Sequence, residues 1–227
     1  MKKFLLIFTV LFPLSLIAEG DDWSHYGKDS GGGHYSKATE ITPENVKGLK
    51  NIWTHRSGDY KGGANSAGRK GDDYQTSFQV TPLLVDETLF YCTSFNRVFA
   101  LNPETGEEIW MFDPKLKKEG RAILACRGLS SWKDLRKSPD EKCFHHIIGV
   151  TIDAELFSID AKDGKLCKDF GNNGRVNLRE GLGEHPDLFY WSTSPPAIIN
   201  EKIVVGGSVI DNLCLLYTSD AADDWSS

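Results

Sequence analysis

Residues 98–110 read VFALNPETGEEIW, and residues 156–168 read LFSIDAKDGKLCK. The two stretches align without a gap. In each, an alternating apolar strand runs into Asn102 or Asp160, crosses a short polar turn to Gly106 or Gly164, and enters a second strand. Asn and Asp bond their own backbone and Gly supplies positive φ, so both copies encode a tight hairpin. Gly106 and Gly164 lie 58 positions apart. Upstream of the first hairpin are the apolar runs Val80 to Val85 and Thr88 to Thr93; upstream of the second are His146 to Ile152 and Glu155 to Ile159. A third unit follows Pro196, where AIINEKIVVGGSVIDN again reads strand, polar turn, strand. Units of about four short strands repeated along a chain are the signature of a β-propeller. Trp110 closes one hairpin, and it and Trp53 are expected to fill the space between adjacent blades.

Composition agrees with an all-β fold. The 227 residues are 40% hydrophobic and 26% charged, and 22 Gly, nine Pro, six Trp, seven Tyr and twelve Phe are spread between short apolar runs. That pattern suits tight turns and strands better than long helices. With 26 Lys+Arg against 32 Asp+Glu the net charge is −6. A nucleic-acid partner, which usually shows as a basic patch and a high pI, is therefore not expected.

Both ends read as foreign to the fold. Residues 1–18 begin with Lys2 and Lys3 and continue through an apolar run broken by Pro13 to Ala18, the pattern of a secretory signal. The run is too short for a spanning helix of about 20 apolar residues. At the other end, residues 213–227, LCLLYTSDAADDWSS, share no periodicity with what precedes them and resemble a translated sequencing adapter. The domain is thus expected to occupy residues 19–212. At 58 residues per unit it holds about three blades, whereas rings close with roughly four to eight. The expectation is the front part of a larger propeller whose ring is not closed.

Setting Cys214 aside with the tail leaves Cys92, Cys126, Cys143 and Cys167. In an exported chain these are expected to pair, in one of three connectivities. Cys126 with Cys143 is the first choice, because the polar segment between them looks like a loop that gains from a staple. No Cys-x-x-Cys is present, so zinc and thioredoxin-type readings find no support. His145 and His146 are adjacent and, on a strand, point to opposite faces, which argues against one shared ion. The glycine-rich stretch 62–73 has no helix-opening pattern and reads as a loop rather than a phosphate cradle.

Several longer motifs stand in order: DWSHYGKDSGGGHYSKATEITPENVKGLKNIWTHRSGD from Asp22, SFQVTPLLVDETLFYCTSFNRVFALNPETGEEIWMFDP from Ser77, CRGLSSW from Cys126 and TSPPAIINEKIVVGGSVIDN from Thr193. Together they resemble the pyrroloquinoline-quinone (PQQ) dehydrogenases, eight-bladed periplasmic propellers that oxidise alcohols and sugars, and especially their glucose/quinate/polyol branch. The resemblance implies a partial eight-bladed propeller with PQQ and Ca²⁺ as cofactors. It also implies hydride transfer from a sugar or polyol such as glucose, and a membrane quinone or cytochrome as electron acceptor. Arg127 matches the arginine that clasps a PQQ carboxylate, a job a guanidinium fork suits. Gln79 falls where the family places Glu or Gln against the cofactor, and Thr193 matches a threonine whose hydroxyl meets it. Ser208 ends VVGGS, where small residues let a backbone approach a flat ligand. Asp211 and Asn212 match the positions that carry calcium, a hard-oxygen pair of the kind Ca²⁺ takes.

In that mechanism the metal acts as a Lewis acid and a carboxylate base from a later blade takes the substrate proton. No catalytic base is assigned within this chain, so turnover is not expected from it alone. The adjacent cysteine pair of the alcohol-oxidising branch is missing, and Trp132 stands where some glucose enzymes carry His. The competing reading is a non-catalytic PQQ-repeat propeller scaffold that binds protein partners. Fold alone does not separate the two, whereas retention of Arg127, Gln79, Thr193 and Asp211 at family spacing favours the enzyme.

Overall fold

The computed structural model describes residues 22–29, 31–59, 75–117, 123–183 and 190–209. The leader, the 62–73 stretch, the tail and both expected calcium ligands, Asp211 and Asn212, lie outside the described residues. In chain order the strands are β1 (Gln75–Phe78), β2 (Leu83–Val85), β3 (Thr88–Cys92), β4 (Val98–Leu101), β5 (Glu108–Phe112), β6 (Ile123–Cys126), β7 (Ser130–Lys133), β8 (His145–Val150), β9 (Glu155–Asp160), β10 (Arg175–Asn177), β11 (Tyr190–Trp191), β12 (Ala197–Ile199), β13 (Lys202–Val204) and β14 (Ser208–Val209). Among the described residues the only regular helix is a single 3-10 turn, Val46–Gly48.

Strands β2-β3-β4-β5 form one antiparallel sheet and β7-β8-β9-β10 a second. The third unit consists of the β12–β13 hairpin and the β11–β14 pair. Among the described residues the sheets do not close into a ring, in line with the repeat length. Local chemistry sets the hairpins as the sequence implied. Asn102 Oδ1 accepts the backbone N–H of Glu104 and Thr105 at 2.9 and 3.0 Å, and Asp160 Oδ1 accepts that of Lys162 at 2.9 Å.

The sheets pack face to face. Leu83, Phe90, Val98 and Ala100 of the first meet Leu129, Ile147, Phe157 and Ile159 of the second in one buried cluster. Each large apolar side chain so buried contributes about 1.5–3 kcal/mol. On β8 the neighbours divide: Ile147 faces the first sheet, while Ile148 joins Val150, Leu156, Ile198 and Ile203 against the third unit. With both faces covered, every residue of β8 is buried.

The tryptophans do what their spacing implies. The Trp53 ring sits on Gly106 and its Nε1 donates to Pro103 O at 3.0 Å. The Trp110 ring sits on Gly164 and its Nε1 donates to Ala161 O at 3.0 Å. Each indole thus docks on the hairpin turn of the next sheet. Gly106 and Gly164 have φ of 72° and 67°, and an added Cβ would lie 2.5 and 2.6 Å from the respective indole.

Three expectations are corrected. The preferred Cys126–Cys143 bridge does not form; the disulfides are Cys92–Cys126 and Cys143–Cys167. The segment after Cys126 is not a free loop, because Ser130–Lys133 pairs with His145–Ile148 as the edge strand of the second sheet. Cys126 therefore ends a strand beside Cys92 of the first sheet. Cys143 instead sits near the second hairpin turn, its N–H donating to Asp160 Oδ2 at 2.8 Å, and Cys167 follows that turn. Second, the outer strand expected right after Gly164 is reduced to an isolated Ile159–Leu166 bridge, and the outer edge is completed by β10. Third, the run from Val80 is strand only over Leu83–Val85.

Candidate cofactor site

Strands β1 and β6 belong to neither four-stranded sheet. They pair with each other in parallel, Ser77 opposite Ala125 and Phe78 opposite Cys126. One step further along, the same register sets Gln79 beside Arg127. The Arg127 Nε donates to Gln79 Oε1 at 3.3 Å, and both residues are exposed. Among the described residues no carboxylate pairs with the Arg127 guanidinium.

The Arg127 main chain is held from both sides. Its N–H donates to Thr193 O at 3.1 Å, and its C=O accepts from Thr81 N–H at 3.0 Å. One arginine thereby links the starts of three successive units. The following Gly128 is wedged between Tyr26 and Pro195, where an added Cβ would come within 3.2 and 3.4 Å of their side chains. Ser130, at the head of β7, donates its hydroxyl to Pro196 O. The Arg-Gly pair is thus packed between the N-terminal segment, the first sheet and the third unit.

Of the four cofactor candidates in the sequence, Gln79, Arg127 and Thr193 come together here. Ser208 stands on the neighbouring ladder, opposite Trp191, and is exposed. Of the two glycines before it, Gly207 makes room for Tyr190, since an added Cβ there would lie 2.1 Å from the Tyr190 ring. Trp132 does not join the Arg127 group. It packs on His146, ring centroids 5.0 Å apart, and lines a cavity of about 190 Å³ between the second sheet and the β12–β13 hairpin.

The two adjacent histidines face apart, as strand geometry requires. His145 meets Ser131 Oγ at 2.7 Å and Asp86 Oδ2 at 3.3 Å, whereas His146 meets Ser158 Oγ at 2.7 Å. Burial pushes His145 down to about 4, against the pull of the Asp86 carboxylate. Both imidazoles are structural rather than ligands of a common ion, and no group of three His, Cys, Asp or Glu among the described residues is arranged for a metal.

Sequence reading missed two contributors to the site. Asn96 and Ser94, in the β3–β4 turn, bond the strands that lead into Arg127 and Gln79. Their only sequence signal was a polar Ser-Phe-Asn between apolar runs, which reads as any turn.

The family model described as "PQQ: Glucose/ethanol/alcohol dehydrogenase, beta-propeller domain" matches residues 23–222. The chain belongs to this family. Among relatives, it is 37% identical over 203 residues to the quinoprotein glucose dehydrogenase of Escherichia coli (strain K12), covering 87% of this chain and 25% of that protein. It is 34% identical to the glycerol dehydrogenase large subunit of Gluconobacter oxydans (strain 621H), with 84% and 25% covered. To the quinate/shikimate dehydrogenase (quinone) of Acinetobacter baylyi it is 32% identical, with 89% and 26% covered. The chain spans about a quarter of the length of these relatives. The crystal structure of a quinohemoprotein alcohol dehydrogenase from Comamonas testosteroni superposes with a TM-score of 0.60 at 21% identity, over 85% of this chain and 24% of that one, which shows the propeller fold. An exposed guanidinium whose Nε is taken by an amide oxygen keeps its terminal nitrogens for a carboxylate.

Proposed function

We propose that this chain forms part of the cofactor wall of a periplasmic quinoprotein that oxidises CH–OH groups of a sugar or polyol such as glucose. Its cofactors would be PQQ and Ca²⁺, and its electron acceptor a membrane quinone or cytochrome. The observation that carries this reading is the placement of Arg127 beside Gln79 and Thr193 at the junction of three units. When bound, PQQ would supply an electron-accepting carbonyl and Ca²⁺ a Lewis acid.

The residues of this chain have binding roles. Gln79 accepts from the Arg127 Nε, which leaves the two terminal nitrogens of the guanidinium to take a carboxylate as a fork. Thr193 fixes the arginine backbone through its carbonyl, and its hydroxyl is assigned to contact the cofactor. Ser208, on the ladder next to Thr193, would add a further hydroxyl, and Asp211 and Asn212 would supply hard oxygen for Ca²⁺. The base that takes the substrate proton is assigned to a later part of the full-length protein. Two disulfides suit an oxidising compartment, in keeping with the leader-like residues 1–18. Relatives named for glucose, glycerol and quinate/shikimate support a polyhydroxylated substrate.

The test uses the full-length protein, stripped by chelation and dialysis and assayed for dye-linked oxidation of glucose, glycerol and quinate. Activity is expected only when PQQ and Ca²⁺ are both restored. Arg127→Ala removes a charge-assisted contact and is expected to weaken PQQ binding by about 2 kcal/mol, roughly thirtyfold. Activity with neither cofactor added, or PQQ binding indifferent to Arg127→Ala, would contradict the reading.

A further inference from the structure

The β3–β4 turn, residues 93–97, reaches out of the first sheet and takes hold of both members of the parallel β1–β6 pair. Ser94 Oγ donates to Ser77 O at 3.1 Å, and Asn96 Nδ2 donates to Ala125 O at 3.2 Å. Ser77 and Ala125 are register partners, and each lies two residues before a site residue, Gln79 and Arg127 respectively. We infer that Ser94 and Asn96 are positioning residues that set the register and height of the Gln79–Arg127 pair for binding a quinone carboxylate.

The turn is built to hold its place. Asn96 is 1% and Ser94 3% exposed, so neither side chain is exchanging with solvent. Asn96 has φ 56°, a left-handed backbone that Asn tolerates better than most residues. Its N–H donates to Thr93 O at 2.9 Å, and Thr93 N–H donates to Arg97 O at 2.9 Å. The turn is anchored outward as well: Phe95 N–H donates to Asp59 Oδ2 at 3.1 Å, and Arg97 pairs with the Asp59 carboxylate. Asn96 uses its second polar atom too, Oδ1 accepting Ile152 N–H at 2.9 Å from the second sheet. Its amide therefore bridges β6 and the β8–β9 turn. The Cys92–Cys126 disulfide adds a covalent tie between the end of β3 and the residue directly before Arg127.

The consequence is specific to the two site residues. Arg127 and Gln79 are exposed and meet through one long hydrogen bond, which by itself does little to hold two flexible side chains. What fixes their relative placement is the backbone beneath them, which this turn holds together with the β1–β6 ladder, the Cys92–Cys126 disulfide and the Arg127 bonds to Thr81 and Thr193. Removing the Asn96 side chain takes its partner from a buried carbonyl on Ala125 and a buried N–H on Ile152 and loosens one of the ties on β6, while the Ser94 bond to Ser77, on the strand that leads to Gln79, stays.

This positioning role rests on the function proposed above, in which Arg127 binds the quinone carboxylate. The test measures PQQ dissociation constants by fluorescence titration of the full-length apoprotein, for Asn96→Gly and Ser94→Ala, each with Arg127 intact and in an Arg127→Lys background. Gly at 96 keeps the positive φ, and Ser94→Ala is mild enough to fold where Asn96→Gly does not. Amide exchange of residues 123–127 is read in parallel without cofactor. With Arg127 intact, Ser94→Ala is expected to weaken PQQ binding about fivefold and Asn96→Gly tenfold or more, in line with one and two lost hydrogen bonds. In the Arg127→Lys background, which has already lost the fork, both effects should shrink to under about twofold, the mark of coupled residues. Exchange of residues 123–127 should rise in Asn96→Gly. Equal losses in both backgrounds, or unchanged binding despite a lowered unfolding midpoint, would show a merely structural turn and overturn the inference. Failure of the unmodified protein to bind PQQ would instead overturn the proposed function, and the positioning role with it.

Discussion

His145 is buried between the first two sheets, and its surroundings fix which form it can adopt. Desolvation holds it neutral down to about pH 4, despite the Asp86 carboxylate on one side, while in the unfolded chain it takes up a proton near pH 6.5. Between those values the unfolded state binds more protons than the folded one. Its contribution is therefore complete above about pH 6.5 and is lost as the pH falls toward 4, an effect on the order of a few kcal/mol. His146 is shifted in the same direction, again by burial first. Urea midpoints measured from pH 7.5 to 4.5 should fall more steeply for the unmodified protein than for His145→Gln, whose side chain does not titrate. Parallel pH dependences would contradict the buried neutral assignment. Arg127 presents the opposite situation: its charge is exposed and its value lies in where the backbone puts it.

At the scale of the element, the units are joined through a repeated contact, an indole set on a glycine of the next hairpin. Gly164→Ala would place a Cβ 2.6 Å from the Trp110 ring at a φ of 67°. Steric crowding of about 1–3 kcal/mol plus the left-handed backbone cost predicts a thermal midpoint several degrees lower, measurable by calorimetry, with Trp110→Ala removing the clash but not the loss of packing. An unchanged midpoint for Gly164→Ala would mean that the indole does not dock there. The place of Trp53 and Trp110 between units was legible in the sequence, from the hairpin repeat; the glycine on which each indole sits was not, since Gly106 and Gly164 read only as turn residues. Strand β7 was not, since Ser130, Ser131 and Lys133 look like a loop, and only its pairing with β8 shows otherwise. The cysteine pairing depended on that same strand, which carries the chain away from Cys126 and leaves it against Cys92. The shortened outer strand after Gly164 went unread because one bridge at Leu166 and the separate strand β10 divide the work a single strand does in the first sheet.

The whole molecule converts a linear repeat into a site. Gln79, Arg127 and Thr193 are 48 and 66 residues apart in sequence, and each stands just ahead of the inner strands of its own unit. Stacking three units about a common direction brings those equivalent positions together, so that one arginine bonds backbone to both neighbours. The residue types were readable from the family resemblance; their convergence follows from the packing of the units, and the clamp beneath them from a turn that carries no motif. The most direct measurement is a crystal structure of the full-length protein with PQQ bound. A terminal nitrogen of Arg127 is expected about 2.7–3.2 Å from a PQQ carboxylate oxygen, with Gln79 and Thr193 in the same wall. A bound quinone whose carboxylates are all held by other residues, with Arg127 turned to solvent, would contradict it.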